Sequence, residues 1–153
     1  MNQLNAFSMK FADQLFRAYP DWRRFARIKS GAVGDGGVLV VEVPPPPEAK
    51  VDHGLVITTD NDEVTVGFDH YHSHFDWPVR FDEPTELTIN PMAFIAAILA
   101  EQIAVASWWE GEAWAGSAML SSGEEPEKFA PPRAMTVRVR SWKGTLNRDA
   151  DAQ

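Results

Sequence analysis

One long apolar segment, residues 91–109, constrains the fold more than any other part of the chain. Asn90 followed by Pro91 is typical of a helix start, because an Asn side chain caps free N–H groups and proline has no N–H to leave unpaired. The segment is apolar nearly all round, which predicts a helix buried on most of its surface. Glu101 and Gln102 at its midpoint argue against a membrane span, where a charge is costly. We therefore expect one long core helix over residues 91–109.

The remaining chain combines one amphipathic helix with several β-rich runs. Apolar side chains at helical spacing predict an N-terminal helix that ends near Pro20; they are Leu4, Phe7, Phe11 and Leu15. Strands are predicted over Val38–Val43, Leu55–Thr59, Glu63–Phe68, Glu112–Leu120 and Met135–Trp142. This order predicts an α+β fold: an antiparallel sheet of about five strands, with the N-terminal helix and the long central helix packed on one face.

The length of 153 residues fits one hydrophobic core, so we expect a single α+β domain over residues 1–153. The polar tail is expected to fray from about residue 146. The absence of cysteine excludes disulfide scaffolds, thiol nucleophiles and Cys-based metal sites. The first residues show no secretory signal pattern. Together these features favour a cytoplasmic protein.

Acidic side chains are concentrated in the middle of the chain. The net charge is -8, and residues 35–86 alone hold twelve acidic and two basic side chains. Nucleic-acid affinity depends on Lys and Arg displacing counterions, so this balance disfavours nucleic acid and an anionic membrane as partners. The negative electrostatic field of this segment raises the rate of association with a basic protein.

The segment 67–78, GFDHYHSHFDWP, holds three of the four histidines and is the most unusual part of the sequence. Alternation along an extended strand puts His70, His72 and His74 on one side, about 7 Å apart in successive pairs. His70 and His72, or else His72 and His74, are therefore candidate ligands of a divalent metal such as zinc, with His53, Asp69 or Asp76 supplying further ligands. The alternative interpretation is structural or partner contact, because His70 and His72 continue the parity of the core-facing Val64, Val66 and Phe68.

Under the partner interpretation, charge steers the encounter and aromatic side chains supply most of the affinity. We expect steering and polar contacts from five acidic residues: Asp60, Asp62, Glu63, Asp69 and Asp76. The central contact is expected from Tyr71, His72, His74 and Trp77. No catalytic residue is assigned, because no complete hydrolase motif is present.

Two segments, Gly67-Phe68-Asp69-His70-Tyr71-His72-Ser73-His74-Phe75-Asp76-Trp77 and Val139-Arg140-Ser141-Trp142-Lys143-Gly144, give the chain a resemblance to a family of bacterial proteins. The chain resembles the immunity proteins of polymorphic toxin systems. The resemblance implies a non-enzymatic protein that binds and neutralises a cognate toxin, without a cofactor, and it assigns no functional residue. The alternative hypothesis is a metal-dependent hydrolase that uses His70 and His72. The oligomeric state stays open under both hypotheses.

Overall fold

A computed structural model describes residues 3–31, 36–75 and 90–152 of the chain. It has an α+β fold, which confirms the predicted class. The helices in these ranges are α1 (Ala6–Ala18) and α2 (Pro91–Leu99), with short 3-10 turns at Pro20–Phe25, Pro47–Ala49, Asp60–Asp62 and Pro126–Phe129. The strands are β1 (Ala26–Ser30), β2 (Gly37–Val43), β3 (Leu55–Thr58), β4 (Val64–Phe68), β5 (Tyr71–Phe75), β6 (Ile103–Glu110), β7 (Ala113–Ser121), β8 (Thr136–Arg140) and β9 (Arg148–Asp151).

The strands form two antiparallel sheets, and the prediction of one sheet is wrong. The five-stranded sheet has the order β1-β2-β3-β4-β5, and the four-stranded sheet has the order β7-β6-β8-β9. Val41 pairs with Ile57 in the first sheet, and Ser107 pairs with Arg138 in the second. With two sheets present, the predicted packing of both helices on one face of a single sheet is not confirmed.

The chain divides by its contacts into two compact units. The first comprises Met1–Pro44, Leu55–Gly67 and His72–Phe94, and the second comprises Pro45–Gly54, Phe68–Tyr71 and Ile95–Gln153. In the first unit, α1 is capped by the Asn5 side chain and buries Phe11 and Leu15. In the second, a buried cluster includes Ala104, Ala106, Trp108, Leu120, Val137 and Val139. Each unit therefore has a sheet with buried apolar residues.

The predicted helix over residues 91–109 is wrong beyond Leu99. The start is as expected, because the Asn90 side chain accepts hydrogen bonds from the N–H groups of Met92 and Ala93. The helix ends in a Schellman motif: the Gln102 N–H donates to the Ala97 carbonyl at 3.0 Å, and Glu101 takes a left-handed φ of 54°. The chain then continues as β6, a central strand buried at seven successive positions.

The C-terminal tail is a strand instead of the frayed segment expected from about residue 146. In β9, Ala150 pairs with Val137 of β8, and Asp149 pairs with Arg138. Asp149 also accepts a hydrogen bond from the Arg140 side chain at 2.6 Å. The tail's polar sequence is explained by its position, because β9 is the last strand in the sheet order and all four of its residues are exposed.

Candidate functional site

The β3–β4 connection presents acidic side chains from a tight turn in the first unit. Asp60, Asn61 and Asp62 form a 3-10 turn in which Asn61 and Asp62 take left-handed φ values of 55° and 53°. Asn and Asp tolerate this region better than other side chains do, which is why the sequence turns here. Asp62 is exposed and Asp60 is half-buried. Among the residues that the structure describes, no cationic side chain forms an ion pair with Asp60 or Asp62.

The outward face of β4 and β5 continues this acidic turn. The Nδ1 atom of His74 lies 2.6 Å from Oε1 of Glu63 and 3.0 Å from the hydroxyl of Thr65. The rings of His72 and His74 meet edge to face, with centroids 4.9 Å apart. Both histidines are exposed. We name this surface the acidic histidine face; it consists of Asp60, Asp62, Glu63, Thr65, His72 and His74.

The strand reversal changes which residues point outward. Val64, Val66 and Phe68 of β4 are buried, as alternation predicts, and a two-residue turn at Asp69 and His70 follows. In β5 the buried residue is Phe75, so His72 and His74 share the outward face. His70 lies in the turn, outside β5. The prediction that His72 and His74 share one face is confirmed, but the interpretation in which His72 continues the core-facing parity of β4 is not, because the turn shifts the alternation.

Asp69 anchors a loop in the second unit. Its backbone has a left-handed φ of 50°, and its side chain is 3% exposed. The carboxylate accepts a hydrogen bond from the Asp52 N–H at 2.9 Å, and the Asp69 N–H donates to the His53 carbonyl at 3.1 Å. These two bonds hold the loop that carries Asp52 and His53 against the β4–β5 turn. Asp69 therefore has a structural role in this turn, with little surface left for a partner.

His70 is packed among polar and aromatic side chains of the second unit. Its Nε2 atom hydrogen-bonds to Oδ2 of Asp52 at 2.8 Å, and its ring meets Trp109 edge to face at 4.9 Å. The ring of His53 approaches it at 5.0 Å. The Ser117 hydroxyl donates to the His70 carbonyl at 2.6 Å. The ring of His70 is thus fixed in position while its side chain keeps 16% exposure.

The Arg138 side chain adds a positive charge to this group of residues. The guanidinium carbon of Arg138 lies 4.3 Å from the centre of the Trp109 ring, and Nη1 of Arg138 lies 4.0 Å from Oδ2 of Asp52. The hydrogen bond from His70 is the main reason that the pKa of Asp52 lies below its usual value; burial acts in the opposite direction, and the charges of His70, Arg138 and His53 each lower the pKa by a smaller amount. Asp52 is therefore ionised at neutral pH.

The structure assigns the sequence-predicted residues to different places. Asp60, Asp62, Glu63, His72 and His74 belong to the acidic histidine face, whereas Asp69 and His70 belong to the second unit. Tyr71 is half-buried at the start of β5. Asp76 and Trp77 lie outside the described residues. The predicted metal pair is not brought together as a pair: His72 packs on His74, and among the described residues the group with metal-ligand spacing is Asp52, Asp69 and His70.

Sequence reasoning missed Asp52 and Arg138. Asp52 adjoins His53, which the sequence had marked as a possible extra ligand, so a carboxylate beside a histidine was the available signal. Arg138 belongs to a strand whose polar residues read as an ordinary exposed face.

Comparisons with family models, curated proteins and solved structures found no match to this chain. Within the described ranges, no helix is both long enough and apolar enough to cross a membrane.

Proposed function

We propose that the protein is a non-enzymatic binding protein that neutralises a basic protein partner, in the manner of an immunity protein and its toxin. The acidic histidine face carries this proposal, because it combines Asp60 and Asp62, which form no ion pair in the described chain, with the exposed imidazole rings of His72 and His74. Neither Asp60 nor Asp62 forms an ion pair within the described chain, so the charge of both is available to a partner.

In this proposal the acidic side chains contribute mainly to the rate of association. Asp60 and Asp62 project from a turn at one end of the β3–β4 hairpin, and Glu63 follows directly. Exposed charges at the rim of an interface raise the association rate and make it depend on ionic strength. A basic partner is therefore steered to this end of the first unit, and Asp76 extends the same negative charge along the sequence.

In this proposal the rings of His72 and His74 contribute mainly to the affinity of the complex. His74 is held by Glu63 and Thr65, and His72 packs against it, so both rings are presented in a fixed arrangement. A preorganised ring loses little conformational freedom on binding, and aromatic side chains are common among residues that dominate binding energy. Trp77 completes the proposed contact, whereas Tyr71 alternates with His72 and His74 along β5 and belongs to the second unit.

The test begins with the gene next to this one in the native genome, cloned as the candidate toxin. Its product is expressed in a bacterial host with and without this protein, and growth is recorded. Neutralisation restores growth. Binding of the purified pair is then measured over a range of salt concentrations, where the association rate should fall as salt rises.

A matched pair of charge reversals separates local steering from net charge. Asp60→Lys with Asp62→Lys should slow association, because the two charges belong to the proposed interface. Asp13→Lys with Asp21→Lys makes the same change in net charge at exposed positions elsewhere in the first unit, and should have a much smaller effect. Equal effects of the two double variants, or unchanged association in both, would overturn the assignment of this face.

A further inference from the structure

Three potential metal ligands meet at the β4–β5 turn of the second unit. Asp52, Asp69 and His70 each offer one ligand atom, and these three atoms lie within 4.8 Å of one another. We propose that Asp52, Asp69 and His70 form a zinc-binding site. The site is separate from the acidic histidine face, and it stands whether or not that face binds a partner.

The distances suit a zinc ion. Zinc binds oxygen and nitrogen ligands at about 2.0–2.2 Å, so the ligand atoms of a tetrahedral site lie about 3.3–3.5 Å apart. The separation from Nε2 of His70 is 2.8 Å to Asp52 and 3.9 Å to Asp69. These values lie on either side of the tetrahedral separation, so shifts of about half an ångström in two side chains would admit the ion. On binding, Nε2 gives up any proton that it carries to solvent.

The surrounding contacts hold two of the three ligands in place. Asp69 is buried, and its carboxylate is oriented by the Asp52 N–H. The backbone of His70 is held by the Ser117 hydroxyl, and its ring is packed on Trp109. Supporting contacts of this kind fix the orientation of metal ligands, and their loss commonly weakens affinity by about 10–100-fold. Asp52, with 57% of its side chain exposed, is the ligand that can adjust.

The ligand types select the metal. One imidazole nitrogen with two carboxylates suits zinc, whereas magnesium prefers oxygen ligands and retains its waters. His53 is exposed and its ring lies 5.0 Å from that of His70, which makes it a candidate for a fourth ligand. Arg138 has the opposite effect, because its positive charge 4.0 Å from Asp52 repels a cation and competes for the carboxylate.

The experiment uses the full chain without a histidine tag, stripped with a chelator and titrated with zinc chloride by calorimetry. Saturation at one zinc per chain is expected. Asp52→Asn and His70→Ala should each weaken zinc binding by about 10-fold or more. Arg138→Gln should strengthen it. Magnesium should not compete. Asp69 is left unchanged, because its carboxylate also holds the turn.

Two matched controls replace the same residue types outside the site. His72→Ala and Asp60→Asn remove an exposed histidine and an acidic residue from the first unit, and zinc affinity should not change. Cobalt provides a second measurement, since its visible absorption reports ligation directly and should be lost in His70→Ala. Circular dichroism establishes that each variant is folded. Absence of saturable binding in the wild type, or a folded Asp52→Asn variant that binds zinc as tightly as the wild type, overturns the proposal.

Discussion

Gly144 lies so close to the carbonyl oxygen of Glu48 that a Cβ atom added at Gly144 would overlap that oxygen. Gly144 also has a left-handed φ of 78°. Gly144→Ala should therefore lower the free energy of unfolding through two separate effects. Backbone strain should contribute about 1–2 kcal/mol, and steric overlap about 1–3 kcal/mol. Chemical denaturation at neutral pH measures the sum.

Gly123 is the matched control for that substitution. Its φ is 85°, and an added Cβ would meet nothing within 4 Å. Gly123→Ala should cost only the backbone strain, about 1–2 kcal/mol. If the two alanine variants lost equal stability, contact with Glu48 would not be what requires glycine at position 144.

Glu101 ties the end of α2 to the segment after β8. Its Oε1 atom accepts hydrogen bonds from the Ser141 hydroxyl at 2.6 Å and from the Lys143 N–H at 2.8 Å. Burial raises the pKa of Glu101, but these hydrogen bonds and those from Thr145 together hold it below the usual value. Glu101→Gln should lower the free energy of unfolding at neutral pH by about 1 kcal/mol, because the amide oxygen still accepts these hydrogen bonds but without the negative charge that strengthens them.

The pH dependence follows from the direction of that shift. A carboxylate with a lowered pKa in the folded state stabilises the protein fully above its ordinary pKa, near 4.5. This stabilisation is lost as the pH falls from there through the lower folded-state pKa. Urea titrations of the wild type and Glu101→Gln should therefore differ most near neutral pH and converge in acid. A constant difference across that range would mean that the ionised carboxylate is not the stabilising group.

Glu101 also explains the largest error in the sequence-based fold. A left-handed residue at a helix end is usually glycine, so a glutamate within an apolar segment gave no sign that the helix stops. The carboxylate is held by residues 141–145, about forty positions away, which local periodicity does not include. The strand β6 could not be recognised from the sequence for a related reason. A strand buried at seven successive positions shows no alternation and is therefore indistinguishable from a buried helix.

The hairpin β3–β4 was predictable because its signal is local. Asp60-Asn61-Asp62 is a turn sequence, and Val64 and Val66 alternate with polar neighbours on its second strand. The surroundings of His70 were not predictable in the same way. Trp109 contacts it from a strand 39 positions further along the chain, and Arg138, 68 positions further along, packs on Trp109. The left-handed Asp69 then breaks the alternation on which the His-x-His prediction rested.

Ser8 of α1 and Thr59 at the end of β3 form a fully buried hydroxyl pair in the first unit. Thr59 also accepts the Leu39 N–H at 2.9 Å. Thr59→Val should lower the free energy of unfolding by about 1–3 kcal/mol for each polar group left without a partner. Ser8→Ala removes only one contact and should cost less. A double-mutant cycle should give a coupling of about 0.5–3 kcal/mol, and additive losses would show that the two hydroxyls act independently.

Dissociation of the proposed complex is expected to depend on aromatic side chains. If Trp77 belongs to the central contact, Trp77→Ala should cost about 2 kcal/mol of binding free energy, which is roughly a 30-fold faster dissociation. The association rate should change little, because charge controls the encounter. Trp114 of β7 is the matched control, since its side chain is exposed in the second unit, and Trp114→Ala should leave both rates unchanged. Surface plasmon resonance with the captured partner separates the two rates, and circular dichroism verifies that each variant is folded. Faster dissociation in Trp114→Ala with none in Trp77→Ala would move the interface to the second unit.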